Sequence, residues 1–250
     1  MSDSPIPVSA YRLDAVSIVA TLTRLRDRIT ERFPDSGLQR VCGELVATGR
    51  DTARSVEALS RPLFWLRLLA GLVAAAWAAG MTLVLAEIDW AEVGRRTDPA
   101  GLAQGLDSAV NLLLLAGAAI WFLVTAEARL KRRRTLKALY RLRSFAHVID
   151  MHQLTKDPTA VLGKLPPTAS SPERRMSEFE LARYLEYCAE MLALTAKLAA
   201  LYAASTDDEQ VMTGVNDVEE LASNLGRKIW QKIMILSQLD EGRASKSAAG

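Results

Sequence analysis

Two long stretches without charge interrupt a chain that is otherwise dotted with charge. Leu68 to Ala86, LLAGLVAAAWAAGMTLVLA, runs nineteen residues, and Ala109 to Ala126, AVNLLLLAGAAIWFLVTA, runs eighteen with Asn111 as its only strongly polar side chain. At about 1.5 Å of rise per residue such a helix reaches roughly 28 Å, close to the thickness of a bilayer core. Core helices of soluble proteins rarely run so far without polar relief, so both stretches read as transmembrane helices. The first lies more than sixty residues in, and residues 1 to 30 hold no comparable apolar block, so neither reads as a cleaved leader.

Elsewhere the apolar positions recur at helical spacing. Upstream, Leu13, Val16, Val19 or Ala20 and Thr23 form one line, with Ile18, Leu22, Leu25 and Ile29 on a neighbouring one, until Pro34 stops the pattern. Ser36 and Gln39 have the spacing of a capping box that opens a second helix, whose apolar face runs through Leu38, Val41 or Cys42, Leu45, Thr52, Val56 and Leu59. Downstream, GKLPPTASSPERR has the prolines of a linker. Ser177 and Glu180 then form a second capping box, before Leu181, Tyr184, Leu185, Cys188, Met191, Leu192, Thr195, Leu198, Leu201 and Tyr202. That surface is too wide for a solvated helix. Thr206 and Glu209 suggest a third capping box, ahead of a stripe through Val211, Val215, Val218, Leu221 or Ala222, Leu225, Ile229, Ile233 and Leu236. No stretch combines period-two alternation with sheet-type turns.

The fold expected is all-α: a two-span transmembrane helical hairpin with a cytoplasmic helical bundle formed by the N- and C-terminal helices. Its parts are N-terminal helices at 1–61, the first span at 62–87, an external loop at 88–108 and the second span at 109–127. A basic helical extension follows at 128–158, then a linker at 159–176, a helical hairpin at 177–240 and a disordered tail at 241–250. With no proline between Asp107 and Leu154, the second span is expected to continue unbroken as a stalk of roughly 70 Å.

Charge sets the orientation. Arg50, Arg54, Arg61 and Arg67 precede the first span, and Arg129, Lys131, Arg132, Arg133, Arg134, Lys137, Arg141 and Arg143 follow the second. The connection holds only Arg95 and Arg96 against five acids, which puts both termini in the cytoplasm by the positive-inside rule. Trp65 and Trp90 fall at opposite ends of the first span, where indoles favour headgroups. Cys42 and Cys188, 146 positions apart in a reducing compartment, are expected as buried thiols. A chain rich in alanine, leucine and arginine suits a bacterial inner membrane.

The eight cations after the second span are candidates for binding anionic lipid headgroups. Nucleic acid is not expected, since only Tyr140 and Phe145 are at hand for stacking and no recognition module surrounds them. Gly71, Ala75 and Ala79 recur every four residues and, with Asn111, are candidates for helix packing, between the spans or between copies, or for lining a pore. His147, Asp150 and His152 form a weak metal candidate. His147 and Asp150 share a face, but His152 lies about 140° from His147 around the axis, so zinc would need ligands from elsewhere. A histidine donating to an aspartate one turn away, or Asp157 in the turn before Pro158, explains the same residues as helix packing and termination. No activated nucleophile, phosphate-binding glycine loop or paired-carboxylate motif is present, so neither catalysis nor a cofactor is expected.

The function expected is a non-enzymatic integral membrane scaffold that presents its cytoplasmic bundle for self-association and for binding a cytoplasmic protein. The competing expectation is an oligomeric ion channel or membrane-disrupting effector with small-residue spans lining a pore.

Overall fold

The structure, a computed structural model, describes residues 13–87, 99–154, 156 and 176–248. All regular structure among them is helical: α1 (Ala15–Arg32), α2 (Gly37–Ser60), α3 (Phe64–Glu87), α4 (Pro99–Leu154), α5 (Glu178–Ala203) and α6 (Glu209–Ala248). The expected external loop at 88–108 is described only from residue 99, where α4 has already begun, so Trp90, Arg95 and Arg96 lie outside the described residues. Most of the linker at 159–176 lies outside them too.

Local chemistry explains the helix starts. The Asp14 carboxylate accepts the Ser17 hydroxyl at 2.6 Å and the N–H groups of Ser17 and Val16 at 2.9 and 3.2 Å, and those bonds, the hydroxyl's first, hold its pKa below the usual carboxylate value. Between α1 and α2 the chain turns at Pro34 and Asp35, the latter in the left-handed region at φ 58°. Ser36 Oγ accepts the Gln39 N–H at 3.2 Å, but Gln39 Oε1 reaches back past Ser36 to the Asp35 N–H at 2.8 Å. The Ser177–Glu180 box closes in both directions. The start of α6 differs from expectation: Asp208 caps it, accepting from Gln210 and Val211, while Thr206 accepts the Asp208 N–H. Asp208 prevails because its carboxylate stands next to the first helical residue. At the other end α6 runs on to Ala248, through the segment expected to lack order.

The helices divide into two compact units: residues 1–60 with 134–250, and residues 61–133. The described residues of the first share one buried apolar cluster. It draws Ile18, Leu22, Leu25 and Ile29 from α1, Leu38, Cys42 and Leu45 from α2, and Leu139, Leu142 and Ile149 from α4. Ten buried positions of α5, from Leu181 to Tyr202, match its expected stripe, and α6 adds Val211, Val215, Val218, Ala222, Leu225, Ile229 and Leu236. In α1 the neighbouring line proves to be the core face. Leu13 and Val16 on the first line are 44% and 74% exposed, because α5 and α2 both pack on the Ile18–Ile29 side.

α4 and α6 run in the same direction. A Cβ added at Gly214 would stand 3.1 Å from Leu139 Cδ1, so an alanine there would need that methyl to yield by a few tenths of an ångström. Further along both, Lys232 Nζ donates to Gln153, at 2.5 Å to Oε1 and 3.1 Å to the carbonyl oxygen.

The second unit contains α3 and the first part of α4. Among the described residues, two helical segments are long and apolar enough to cross a membrane; none of the most apolar window of one is buried, and 6% of the other. A soluble core helix would show the reverse.

Candidate functional site

Glu127, one residue past the second apolar stretch, joins the beginning of α3 to α4. Its carboxylate accepts the Leu63 N–H at 3.0 Å, Arg67 Nε at 3.2 Å and Lys131 Nζ at 2.9 Å, with only 13% of its side chain exposed. Lys131 also donates to the Arg61 carbonyl at 2.8 Å. Pro62 contributes no N–H, so the free amide of Leu63, just ahead of the first helical residue, takes the carboxylate as an N-terminal acceptor. Sequence reading missed Glu127, since Arg67 of α3 and Leu63 just ahead of that helix lie 60 and 64 positions away. The signal available was a lone acid at the foot of an apolar run, ringed by cations.

The basic run does not act as one surface. Lys131 belongs to the Glu127 cluster, Arg141 approaches Asp51 of α2 at 4.0 Å, and Arg143 pairs with Asp217 of α6 at 3.6 Å. Arg129 lies over the rings of Trp121 and Phe122, 5.8 and 5.7 Å from their centroids, an arrangement that places a cation beside exposed aromatics one to two turns into the apolar stretch. Arg132 has contacts of its own. Arg133, Arg134 and Lys137 are exposed and make no ion pair among the described residues. They are the members of the run open to a phosphate-bearing surface.

The small-residue positions of the apolar helices are open. A Cβ added at Gly71, Gly80 or Gly117 would meet nothing within 4 Å, so no described neighbour takes up the space those glycines leave. Ala75, Ala79 and Asn111 are exposed. Phe64 and Trp65 at the start of α3 are 73% and 58% exposed.

The structure does not bring His147, Asp150 and His152 together as ligands. His147 points to solvent, and Asp150 accepts Gln153 Nε2 at 2.5 Å. His152 is half-buried and packs on the first residue of α2, so close that a Cβ at Gly37 would stand 2.5 Å from its Cε1. Burial, and then the positive charges of Arg40 and Lys156, hold its pKa below the ordinary histidine value. The imidazole is thus kept neutral over the N-terminus of a helix, where a cation is unfavourable. Among the described residues no three His, Cys, Asp or Glu side chains converge to hold a metal, and Asp157 lies outside those residues.

Cys42 and Cys188 are free and buried, and burial pushes both thiols up to about 12. A shallow groove of about 280 Å³ between α4 and α6 is lined by Leu136, Tyr140, Arg143, Thr213, Gly214 and Asp217. Within it Thr213 Oγ1 donates to the Glu209 carbonyl at 3.0 Å, and Asp217 faces Arg143 at 3.6 Å.

Neither models of known protein families, nor curated proteins, nor solved structures match this chain.

Proposed function

We propose that the chain is a non-enzymatic integral membrane protein. In this reading α3 and the first part of α4 cross a bilayer as a hairpin, both termini are cytoplasmic, and α1, α2, the end of α4, α5 and α6 make a cytoplasmic bundle that self-associates and binds protein. The observation that carries the reading is the exposure of the two apolar segments. Leu72, Leu112, Leu113, Leu114, Leu115 and Val124 are all 50% exposed or more, and covering each is worth about 1.5–3 kcal/mol. Lipid covers such a surface without a protein partner. The Arg129 pairing with Trp121 and Phe122, and the exposed Phe64 and Trp65, give one end of both segments the aromatic and cationic chemistry of a headgroup region. Arg133, Arg134 and Lys137 are then the cations offered to anionic headgroups. The open glycines of both segments support association between copies.

Alkaline carbonate extraction of membranes, followed by native mass measurement in detergent, tests this. The expected result is retention in the membrane pellet and a mass of two or more chains. Release into the supernatant overturns the membrane reading, and a strictly monomeric mass overturns self-association.

A further inference from the structure

The end of α4 lies on the start of α2, and an imidazole makes the contact. His152 is half-buried, its Cε1 in the space that a side chain at Gly37 would fill, 2.5 Å from a Cβ built there. Further along the same two helices Arg141 approaches Asp51. Arg141, Phe145, Val148 and His152 follow one another at intervals of four, three and four, so they share the face of α4 that is turned to α2, and on it Phe145 is only 7% exposed. The charges around the contact disfavour a proton on His152. From α2 come the N–H groups of its first turn, the positive end of that helix, and Arg40. Asp35, in the turn just ahead, is exposed, and among the described residues no carboxylate forms an ion pair with His152. From the end of α4 come Lys156 and Asp150, but the Asp150 carboxylate already accepts Gln153 Nε2. Tyr184 of α5 holds Lys156 over its ring, 5.1 Å from the centroid. From α6 comes Lys232, whose ammonium occupies the Gln153 carbonyl, one of the terminal carbonyls that would otherwise favour a cation at the end of α4.

We propose that His152 is an acid-sensitive latch: neutral, it holds the end of α4 closed on α2, and on taking up a proton it releases that face and uncovers Phe145. Burial first, and then Arg40 and Lys156, put the pKa of the closed form below the ordinary histidine value of 6.5, so the open form binds the proton more tightly. Closure is therefore strongest above about pH 6.5 and weakens as pH falls towards the closed-form value, the open-to-closed ratio rising by at most about tenfold per pH unit for one proton. Lys232 on Gln153 keeps α4 beside α6 meanwhile, whereas the ion pair between α2 and α4, Arg141 with Asp51 at 4.0 Å, is exposed on both sides and holds little. The release separates two helices without unfolding the bundle, and it does not depend on whether the apolar segments cross a bilayer.

Spin labels on Ala47→Cys of α2 and Met151→Cys of α4, both exposed, measure the gap between the helices in the detergent-solubilised full chain by pulsed electron spin resonance; Cys42 and Cys188 are buried and stay unlabelled. One distance is expected at about pH 7.5, and a second, longer one is expected to grow by up to about tenfold per pH unit on acidification to about pH 5, with circular dichroism unchanged. His152→Asn is expected to keep the short distance throughout, and Arg40→Glu, which sets an acid beside the imidazole, to suppress the acid-induced distance. A gap independent of pH, the same widening in His152→Asn, undiminished widening in Arg40→Glu, or loss of helix in place of widening each overturns the latch. Should His152→Asn prove unfolded at neutral pH, Arg40→Glu, a change at an exposed position, decides alone.

Discussion

Replacing Glu127 with alanine removes at once the acceptor for the Leu63 N–H, the Arg67 guanidinium and the Lys131 ammonium. The three shares differ. Arg67 is 66% exposed, so its pair is a surface one of about 0–1 kcal/mol. Lys131, 24% exposed, keeps the Arg61 carbonyl as a partner, which leaves about 1 kcal/mol to lose. The half-buried Leu63 amide loses a bond to a charged acceptor, about 1.5–3 kcal/mol. Glu127→Ala is therefore expected to cost about 3 kcal/mol, and Glu127→Gln, which keeps an oxygen for the amide, about half as much. Exchanging the charges, Glu127→Lys with Lys131→Glu, keeps an i,i+4 pair of about 0.3–0.5 kcal/mol yet leaves the Leu63 N–H without an acceptor, so it is expected not to restore stability. Detergent-solubilised full-length protein, unfolded by heat and followed by circular dichroism, measures each cost. A loss under about 0.5 kcal/mol for Glu127→Ala, the range of ordinary surface changes, or full recovery in the exchanged variant, refutes the reasoning.

Three further outcomes follow from the same geometry. Leu114→Arg is expected to disfavour membrane insertion by about 3 kcal/mol on the insertion scale and to lower the membrane-integrated fraction sharply; on a soluble surface the same change would stay within about 0.5 kcal/mol, so an unchanged fraction in a membrane-integration assay contradicts lipid exposure. His152 has a folded pKa below its unfolded one, so its contribution is intact above about pH 6.5 and is lost as pH falls through the lower folded value. Stability measured across that window should therefore drop on acidification, and His152→Asn should flatten the profile; equal slopes contradict a structural imidazole. Cys42 and Cys188, both fully buried with pKa near 12, should resist a maleimide in the folded protein and react together on unfolding. Rapid reaction of either thiol in the native state counts against the core as described.

Much of this was written in local spacing, and what was not depended on partners far along the chain. The α5 stripe was legible because a helix apolar at Leu181, Leu185, Cys188, Leu192 and Leu198 offers one face to bury. In α1 two apolar lines overlap, and periodicity cannot choose between Val16 and Ile18 until α5 packs on one of them. The start of α6 reads in sequence as a Thr206–Glu209 box, and backbone geometry at the turn, invisible in spacing, makes Asp208 the cap instead. The histidines attracted attention as a cluster, but only the tertiary position of Gly37 reveals what His152 touches. Glu127 escaped notice for the related reason that a single acid among many cations has no period. The basic run was visible at once; that Arg141 and Arg143 are drawn toward Asp51 and Asp217 was not, because ion pairing depends on which helices become neighbours.

Single cysteines at Leu72, Leu114 and Val124, with one at the exposed Ser144 for comparison, measure directly what solvent surrounds α3 and α4. In native membranes the account predicts that a membrane-impermeant maleimide added from the cytoplasmic side labels position 144 readily and leaves 72, 114 and 124 unlabelled until detergent is added. Equal labelling at all four positions without detergent would contradict it.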